Sequence, residues 1–370
     1  MNFIPINRPI LGDEERKVVD EVLSSGALTD SSLEGGKWVR SFESKMRTLL
    51  GVRDAVAVSS GTAALHSALV ACGIKSGDEV IIPSFTFVAT ANAVLACGAT
   101  PVFADTKADY NIEAAEVAKK VTGRTKVILP VHVYGYPADL TELKEIAERN
   151  SLALIEDAAE SLGAEYKGKQ TGSETTAGCF SLYATKVITS GEGGAVSTND
   201  EELAHRLRMV RNHGMVKGYD TRVLGLNLRL PEVQAAIASV QMDRLPSFLQ
   251  LRRRNASSLL DQTRNLPGVE MTQNASDRNH IWYLFTLNVK RNRDDVMARM
   301  RKAGVGASVY WEVPVHKTPY YSELGFSVQK LPNTERASRM VLSLPVHPGV
   351  TLDQIDYIAA SLKDALRELR

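Results

Sequence analysis

The stretch DAVAVSSGTAALHSALVACGIKSGDEVIIPSFTFVATANAVLACGATPVFAD (residues 54–105) alternates short apolar runs with segments of helical pattern. DAVAVS, DEVIIPS and TPVFAD are the apolar runs, and GTAALHSALVAC and FVATANAVLAC lie between them. Strands that are apolar along their whole length and separated by helices are typical of a parallel sheet covered on both faces. The sequence therefore predicts an α/β fold, with the functional site at the strand ends and the loops that follow them.

The same alternation continues to about residue 200. KVILPVHVYG (126–135) and LALIEDAA (152–159) predict strands, and DLTELKEIAERN (139–150) between them has apolar residues at helical spacing. FSLY (180–183) predicts another strand that ends in the core, and DEELAHRLRMVRNHG (200–214) predicts a helix that opens with acids and ends at a glycine. We therefore expect a large domain over residues 1–245, with a mostly parallel sheet between helices.

The pattern changes in the C-terminal part of the chain. A long helix is predicted over 231–262, with Pro231 in its first turn, and the domain boundary is placed inside it near residue 245. The segments after it predict, in order, a strand in HIWYLFTLNV (280–289), a helix in RDDVMARMRKAG (293–304), a strand in ASVYWEVPV (307–315), and helices in TERASRMVLSL (334–344) and LDQIDYIAASLKDALREL (352–369). Residues 246–370 are thus expected to form a smaller α+β domain.

Composition limits the classes of function. Hydrophobic residues make up 44% of the 370 residues and charged residues 24%, which is ordinary for a globular protein, and the net charge of +1 favours neither nucleic acid nor an anionic membrane. No apolar stretch reaches the length of a membrane span, and the N-terminus lacks the layout of a signal peptide. The three cysteines and seven histidines have no zinc-site spacing, so we expect no metal and a cytoplasmic protein with reduced thiols.

Lys186 lies in SLYATKVITSGEGG (181–194), between an apolar run and a glycine-rich loop. A buried ammonium is costly unless its charge is neutralised or its amine is used chemically. A lysine at a strand edge can extend to water, and this is the ordinary interpretation of the local residues alone. The alternative is that the Lys186 amine is a reagent that forms a Schiff base.

Three further stretches offer partners for a reactive lysine. SSGTAALHSAL (59–69) places Ser-Gly-Thr at a helix start after a strand, where main-chain N–H groups can bind phosphate, although the same residues also make an ordinary N-cap. Asp157 ends the strand in LALIED, where it could cap a helix or hold the ring nitrogen of a pyridine cofactor protonated. Phe85 and Phe87 follow a strand, where an aromatic is either core or stacks on a cofactor ring.

Together these parts suit a pyridoxal 5'-phosphate site. The chain also resembles the DegT/DnrJ/StrS family of pyridoxal-phosphate-dependent nucleotide-sugar aminotransferases over nearly its full length. The motifs that carry the resemblance are SSGTAAL, GDEVIIPSFTFVATANAV, GATPVFAD, PVHVYGYPADL, IEDAAESLGAEYKGKQTG, FSLYATKVITSGEGG and LGLNLRLPEVQAAI. The resemblance implies a type I aminotransferase-like large domain with a smaller C-terminal α+β domain.

The resemblance also implies roles for individual residues. Lys186 is the lysine that forms the Schiff base with the cofactor, and Asp157 is the partner of the pyridinium nitrogen. The other residues that match cofactor-binding positions are Gly61, Thr62, Ala63 and Ser181 for the phosphate, Phe87 for ring stacking, Glu160 near the ring 3-oxygen, and Asn227, which reaches the phosphate of the neighbouring subunit. Arg229 and His316 are candidates for the sugar-nucleotide end, and either could instead be a surface or interface residue.

The implied activity is transfer of an amino group from glutamate to a keto group of a nucleotide-linked sugar, in a homodimer with active sites at the subunit interface. Family members that dehydrate a sugar carry histidine at the lysine position, so Lys186 disfavours that reaction. A cyclitol aminotransferase and a non-catalytic regulatory protein on the same fold are the alternatives. Val187, where asparagine is common, and Thr176, where aspartate is common, leave the family subgroup and hence the substrate open.

Overall fold

The computed structural model of the chain describes residues 3–271 and 275–367. Its strands are β1 Asp54–Val58, β2 Glu79–Pro83, β3 Thr100–Ala104, β4 Thr125–Ile128, β5 Ala153–Asp157, β6 Glu165–Tyr166, β7 Lys169–Gln170, β8 Ala177–Ser181, β9 Gly194–Thr198, β10 Val269–Glu270, β11 Arg278–Asn279, β12 Phe285–Val289 and β13 Val341–Leu344. The large sheet has the order β1-β9-β8-β5-β4-β2-β3, and β9 alone runs against the other strands. This mostly parallel sheet confirms the predicted fold class.

The helices pack on the large sheet and on a second, smaller sheet. They are α1 Asp13–Ser25, α2 Lys37–Leu50, α3 Gly61–Ala71, α4 Ala89–Ala96, α5 Ala114–Lys120, α6 Leu140–Arg149, α7 Glu201–Arg211, α8 Glu232–Thr263, α9 Arg293–Lys302, α10 Pro319–Glu323, α11 Pro332–Met340 and α12 Leu352–Arg367, with short 3-10 turns at Val133–Gly135, Val315–Lys317 and Phe326–Val328. Alternate residues of β1 show that both faces are buried: Ala55 and Ala57 belong to the core under α2 and α8, whereas Val56 and Val58 belong to the core under α3 and α7.

The sheet topology places the strand ends at one edge. Because all strands except β9 are parallel, the ends of β1, β5 and β8 lie at the same edge as the start of β9. Asp157 is the last residue of β5 and Ser181 the last of β8, while Gly61 opens α3 just after β1. The segments predicted from separate motifs therefore meet at this edge, as parallel sheets require.

A second, three-stranded antiparallel sheet, β10-β12-β13, packs against α9 and α12. The C-terminal part of α8 belongs to this core through Ala256 and Leu259, whereas its N-terminal part packs on α1 and α2. Helix α8 begins one residue after Pro231, which is its N-cap instead of a first-turn residue, and it continues through the exposed Pro246. The predicted boundary at residue 245 falls in this shared helix and stays a prediction.

Two predicted elements are wrong. Residues 307–315 form no strand: Ser308 makes a single bridge to Ser343, and Trp311 has a φ of 63°, which strand geometry excludes. The segment 334–344 is not one helix, because α11 ends at Met340 and residues 341–344 form β13. In both places, tertiary contacts prevail over the local pattern, since β13 is fully buried and pairs with β12.

Candidate active site

A cavity of about 630 Å³ opens at the edge where the strand ends meet. Most of the predicted cofactor residues line it, namely Gly61, Thr62, Phe87, Asp157, Glu160, Ser181 and Lys186. The opposite wall comes from the C-terminal part of the chain through Tyr283, Val309, Tyr310 and Trp311. The cavity is therefore a cleft between the large sheet and the second unit.

Lys186 lies five positions beyond the end of β8, on a bend, and not directly at the strand end as its sequence suggested. Its side chain is 15% exposed, and Nζ is 3.4 Å from Glu160 Oε1 and 4.7 Å from the centroid of the Tyr283 ring. Burial lowers the pKa of Lys186, but Tyr283, Glu160 and Asp157 outweigh it, and the net shift is upward. The amine is therefore an ammonium that is held between an acid and an aromatic face.

The bend that carries Lys186 is fixed by distant residues. Asn7 Nδ2 donates to the main-chain oxygen of Thr185, and Thr185 Oγ1 lies 3.0 Å from the Tyr283 hydroxyl. The fully buried Arg252 donates to the main-chain oxygen of Tyr283 at 3.1 Å. Burial lowers the pKa of Arg252 to about 10. This buried cation therefore serves to fix the backbone that carries Tyr283.

Helix α8 reaches the same bend at a second point. The main-chain N–H of Thr189 donates to Gln241 Oε1 at 3.4 Å, and Gln241 Nε2 donates to Glu15 Oε1 at 2.7 Å. Two residues of helix α8 therefore fix the surroundings of Lys186: Gln241 contacts the main chain of Thr189, and Arg252 contacts the main chain of Tyr283.

Asp157 ends β5 with its carboxylate directed into the cavity. Oδ2 accepts from Thr90 Oγ1 at 2.8 Å, and Oδ1 accepts from the Ala159 N–H at 3.2 Å. Burial raises the pKa of Asp157, and Thr90, Ala159, Lys186 and His132 only partly counteract it. A buried carboxylate with this upward shift is suited to a cationic or N–H-bearing partner in the cavity.

Glu160 lies beside it and contacts the lysine directly. Its Oε2 accepts the Tyr134 N–H at 3.0 Å, and Tyr134 has a φ of 58°, a left-handed conformation that points its N–H at the carboxylate. Burial raises the pKa of Glu160, and Lys186 and the Tyr134 N–H only partly counteract this effect. Two carboxylates with raised pKa values thus flank one ammonium.

The start of α3 forms a small cradle. Ser60 is its N-cap, and its Oγ accepts the Ala63 N–H at 3.0 Å. The N–H groups of Gly61 and Thr62 come before the first intrahelical bond and so are available to an anion. A Cβ on Gly61 would lie 2.7 Å from Ser181 Cβ, so glycine is required by the close approach of β8. The predicted phosphate contact of Ala63 would have to share an N–H that already has an acceptor.

These residues fit pyridoxal 5'-phosphate. The cradle suits its phosphate, the buried Asp157 suits a ring N–H, and Lys186 suits its aldehyde carbon. Phe87 is 62% exposed and lines the cavity, whereas Phe85 is fully buried against Tyr134 and Trp311 and is a core residue. Of the two phenylalanines, Phe87 is thus the one placed to stack on a ring.

Four predicted residues lie outside the cavity lining, and one of them is Ala63, whose N–H bonds to Ser60 in the cradle. Asn227 is exposed and pairs with Asn212 through the main chain, and Arg229 Nη1 donates to Asn212 Oδ1 at 2.7 Å. His316 is fully buried, with Nδ1 2.7 Å from Ser84 Oγ and Nε2 3.5 Å from Glu335 Oε1. In the described chain, His316 connects the segment after Trp311 to the residue after β2, and it does not line the cavity of its own chain.

The sequence interpretation missed other cavity residues. Thr86 and Thr90 stand in the quoted FTFVATANA stretch, Thr90 in the first turn of α4 and Thr86 in the bend before it, and no local pattern marks them as cavity residues. Tyr283, Tyr310 and Trp311 had no such signal either, because they reach the cavity only through long-range packing.

Among residues 3–271 and 275–367, there is no helix of the length and apolar character that crossing a membrane requires. The same ranges contain no group of three or more histidine, cysteine or acidic side chains placed to hold a metal ion.

A doubly covered, mostly parallel sheet and a lysine held between carboxylates beside an anion cradle define a pyridoxal-phosphate-dependent aminotransferase. The model of the DegT/DnrJ/EryC1/StrS aminotransferase family matches residues 9–363, and the chain belongs to this family. Its cofactor is pyridoxal 5'-phosphate.

Curated relatives cover nearly the whole chain. A dTDP-3-amino-3,4,6-trideoxy-alpha-D-glucose transaminase of Streptomyces venezuelae is 38% identical over 96% of this chain and 92% of its own length. A GDP-perosamine synthase of Caulobacter vibrioides is 36% identical over 98% of each chain, and a pleiotropic regulatory protein of Geobacillus stearothermophilus is 36% identical over 96% and 95%. The crystal structure of S. venezuelae DesV with a ketimine intermediate superimposes with a TM-score of 0.92 at 36% identity, covering 98% of both chains.

Proposed function

We propose that this aminotransferase moves the amino group of glutamate to a keto group of a nucleotide-linked deoxysugar, in the biosynthesis of an amino sugar. The observation that carries the proposal is the Lys186 ammonium held 3.4 Å from Glu160, in a cavity shared with the buried Asp157. A lysine held in this way can bind the cofactor and move a proton at the carbon that gains or loses the amino group. The relatives named for dTDP- and GDP-linked amino sugars support a sugar nucleotide as the acceptor.

We assign the residue roles as follows. Lys186 binds the cofactor covalently and, when released, moves the proton, whereas Asp157 faces the ring nitrogen. Gly61, Thr62 and Ser181 bind the phosphate, Phe87 stacks on the ring, and Glu160 lies near the ring 3-oxygen. When bound, pyridoxal 5'-phosphate supplies the electron sink for deprotonation next to nitrogen.

The position of Asn227 supports a homodimer. It is exposed on the segment before α8 and does not line the cavity of its own chain. Leu224 and Leu226 beside it are 78% and 48% exposed, so the segment is apolar as well as accessible. We propose that Asn227 completes the phosphate site of the partner subunit.

The free Cys72, Cys97 and Cys179 suit a reducing compartment, and we place the reaction in the cytoplasm.

The acceptor wall is aromatic. Trp311 stacks on Tyr134 with 5.1 Å between centroids and an interplanar angle of 13°, and Tyr310 and Tyr183 line the same cavity as Trp311. Flat aromatic faces with few charges suit the apolar ring face of a deoxysugar. The two relatives use different nucleotides, so the choice of nucleotide belongs to the test.

The test is a panel of dTDP-, UDP- and GDP-linked keto sugars incubated with glutamate and the holoenzyme, with the release of 2-oxoglutarate and the mass of the amino sugar measured by mass spectrometry. We expect one acceptor to give stoichiometric 2-oxoglutarate, and the Lys186→Ala variant to give none. Release with a keto-cyclitol but with no sugar nucleotide would replace the acceptor class. A protein that binds the cofactor but releases no 2-oxoglutarate with any acceptor would support a regulatory role.

A further inference from the structure

Two threonine hydroxyls stand in line behind the carboxylate of Asp157. Thr90, in the first turn of α4, donates from Oγ1 to Asp157 Oδ2 at 2.8 Å. Thr86 Oγ1 lies 2.8 Å from Thr90 Oγ1. All three residues are buried, with Thr90 at 0%, Thr86 at 2% and Asp157 at 5% exposure, so water does not compete for these bonds.

The direction of this chain follows from counting protons. Each threonine hydroxyl has one proton to donate. Thr90 gives its proton to Asp157 Oδ2, so at the bond between the two threonines it must accept, and Thr86 must donate. The donations therefore run from Thr86 to Thr90 to Asp157, and the order holds while Oδ2 carries no proton.

The geometry also fixes how the carboxylate is turned. Oδ1 accepts the main-chain N–H of Ala159, so each carboxylate oxygen has a donor on a different element. The Ala159 N–H comes from the turn after β5, and Thr90 comes from α4. The carboxylate plane is thus set from two sides, and both threonines line the same cavity as Asp157.

We propose that Thr90, oriented by Thr86, is a positioning residue that keeps Asp157 ionised and aimed, so that the proton between Asp157 and the pyridine nitrogen of the cofactor stays on nitrogen. A hydrogen bond donated to a carboxylate makes it a weaker base, and donors to an ionised group are among the stronger hydrogen bonds. A protonated ring nitrogen is what makes the ring an effective electron sink. The inference rests on the cofactor and on the proposed role of Asp157, and it is independent of the identity of the acceptor sugar.

The experiment compares two cofactors and needs no sugar substrate. Apoprotein is titrated with pyridoxal 5'-phosphate and with its 1-deaza analogue, in which a C–H replaces the ring nitrogen, and dissociation constants are measured. Thr90→Val removes the hydroxyl at constant shape, and we expect it to weaken pyridoxal 5'-phosphate binding about tenfold. Its affinity for the 1-deaza analogue should equal that of the parent, because that ligand shares no proton with Asp157.

Three variants complete the test. Thr90→Ser keeps the hydroxyl and should bind both ligands as the parent does, whereas Thr86→Val should show a smaller loss for pyridoxal 5'-phosphate alone. Thr263→Val is the matched control, since Thr263 is equally buried but its hydroxyl bonds to a helix carbonyl in α8. If Thr90→Val does not fold, Thr86→Val decides the question. Equal losses for the two ligands, or a Thr90→Ser variant as weak as Thr90→Val, would overturn the proposal.

Discussion

The ring of Tyr283 lies under the amine of Lys186, with 4.7 Å between Nζ and the ring centroid. The hydroxyl of the same tyrosine lies 3.0 Å from Thr185 Oγ1, on the residue that precedes the lysine. The ring therefore faces the amine, whereas the hydroxyl contacts the side chain of the residue before the lysine. Because these are different atoms of one side chain, separate substitutions can remove each of them.

Tyr283→Leu should shift cofactor loading to lower pH. The face of the Tyr283 ring lies 4.7 Å from the Lys186 ammonium and stabilises its charge, so without the ring the neutral amine that attacks the cofactor is available at lower pH. The measurement is the rate of pyridoxal 5'-phosphate uptake by apoprotein from pH 7 to pH 10. Tyr283→Phe keeps the ring and is the control, with a midpoint close to that of the parent. A Tyr283→Leu midpoint at or above that of Tyr283→Phe would refute this expectation.

Asp157→Asn should stabilise the apoprotein at neutral pH while abolishing transamination. The folded pKa of Asp157 is raised above its ordinary value of 3.8, so the folded state holds a proton that the unfolded state loses. Stability is then lost as pH rises from 3.8 through the folded pKa, and the amide avoids this loss. Thermal unfolding should show the Tm of the variant roughly 2 °C or more above the parent at pH 8, with the difference vanishing near pH 3.5. Asp20→Asn, at an exposed position, is the control and should change neither the Tm at pH 8 nor transamination.

Gly61→Ala should weaken cofactor binding by at least about tenfold, because its Cβ would lie 2.7 Å from Ser181 Cβ and push α3 away from β8. Adding Ser181→Gly removes the clashing atom, so the double variant should bind better than Gly61→Ala alone. Gly123→Ala, where a Cβ meets nothing within 4 Å, is the control and should bind as the parent does. Equilibrium titration with pyridoxal 5'-phosphate measures all of these variants, and normal binding by Gly61→Ala would refute the cradle.

The proposed contribution of Asn227 to the partner subunit predicts complementation between inactive variants. Asn227→Asp places a negative charge at the phosphate and should remove most activity, and Lys186→Ala should remove all of it. In a mixed dimer, the site with an intact Lys186 receives Asn227 from the other subunit, so one site becomes complete. Activity should therefore rise when the two variants are coexpressed or exchanged. If no activity returns although mixed dimers form, Asn227 does not act across an interface.

The site at the sheet edge was predictable because strand-end residues obey topology. Asp157 ends one strand of the sheet and Gly61 opens a helix after another, so apolar runs and glycine placement were enough to bring these two together, whereas the role of Ser181 came from the family resemblance. Lys186 needed the family resemblance, since its local stretch also fits a surface lysine.

The rest depended on contacts that no local pattern contains. Trp311 reaches the cavity because its left-handed backbone turns a segment that otherwise has the composition of a strand. Thr86 and Thr90 are ordinary residues for the start of a helix and the turn before it. Their hydrogen bonds towards Asp157 follow only from the folded position of that carboxylate. The burial of His316 was not predictable for a related reason: Ser84 and Glu335, far apart in the chain, enclose it, and its role in substrate binding stays a prediction.

Helix α8 sets the distance between two contacts that fix the surroundings of Lys186. Gln241 accepts a hydrogen bond from the chain after Lys186, and Arg252 donates one to the main chain of Tyr283. The two residues are about 16 Å apart along the helix. Pro246 lies between them, and it is the one residue of helix α8 without a backbone N–H to donate. A change in the curvature of α8 at Pro246 would alter the distance between the Lys186 amine and the Tyr283 ring. The electrostatic environment of the amine therefore depends on a helix that contributes no residue to the cavity lining.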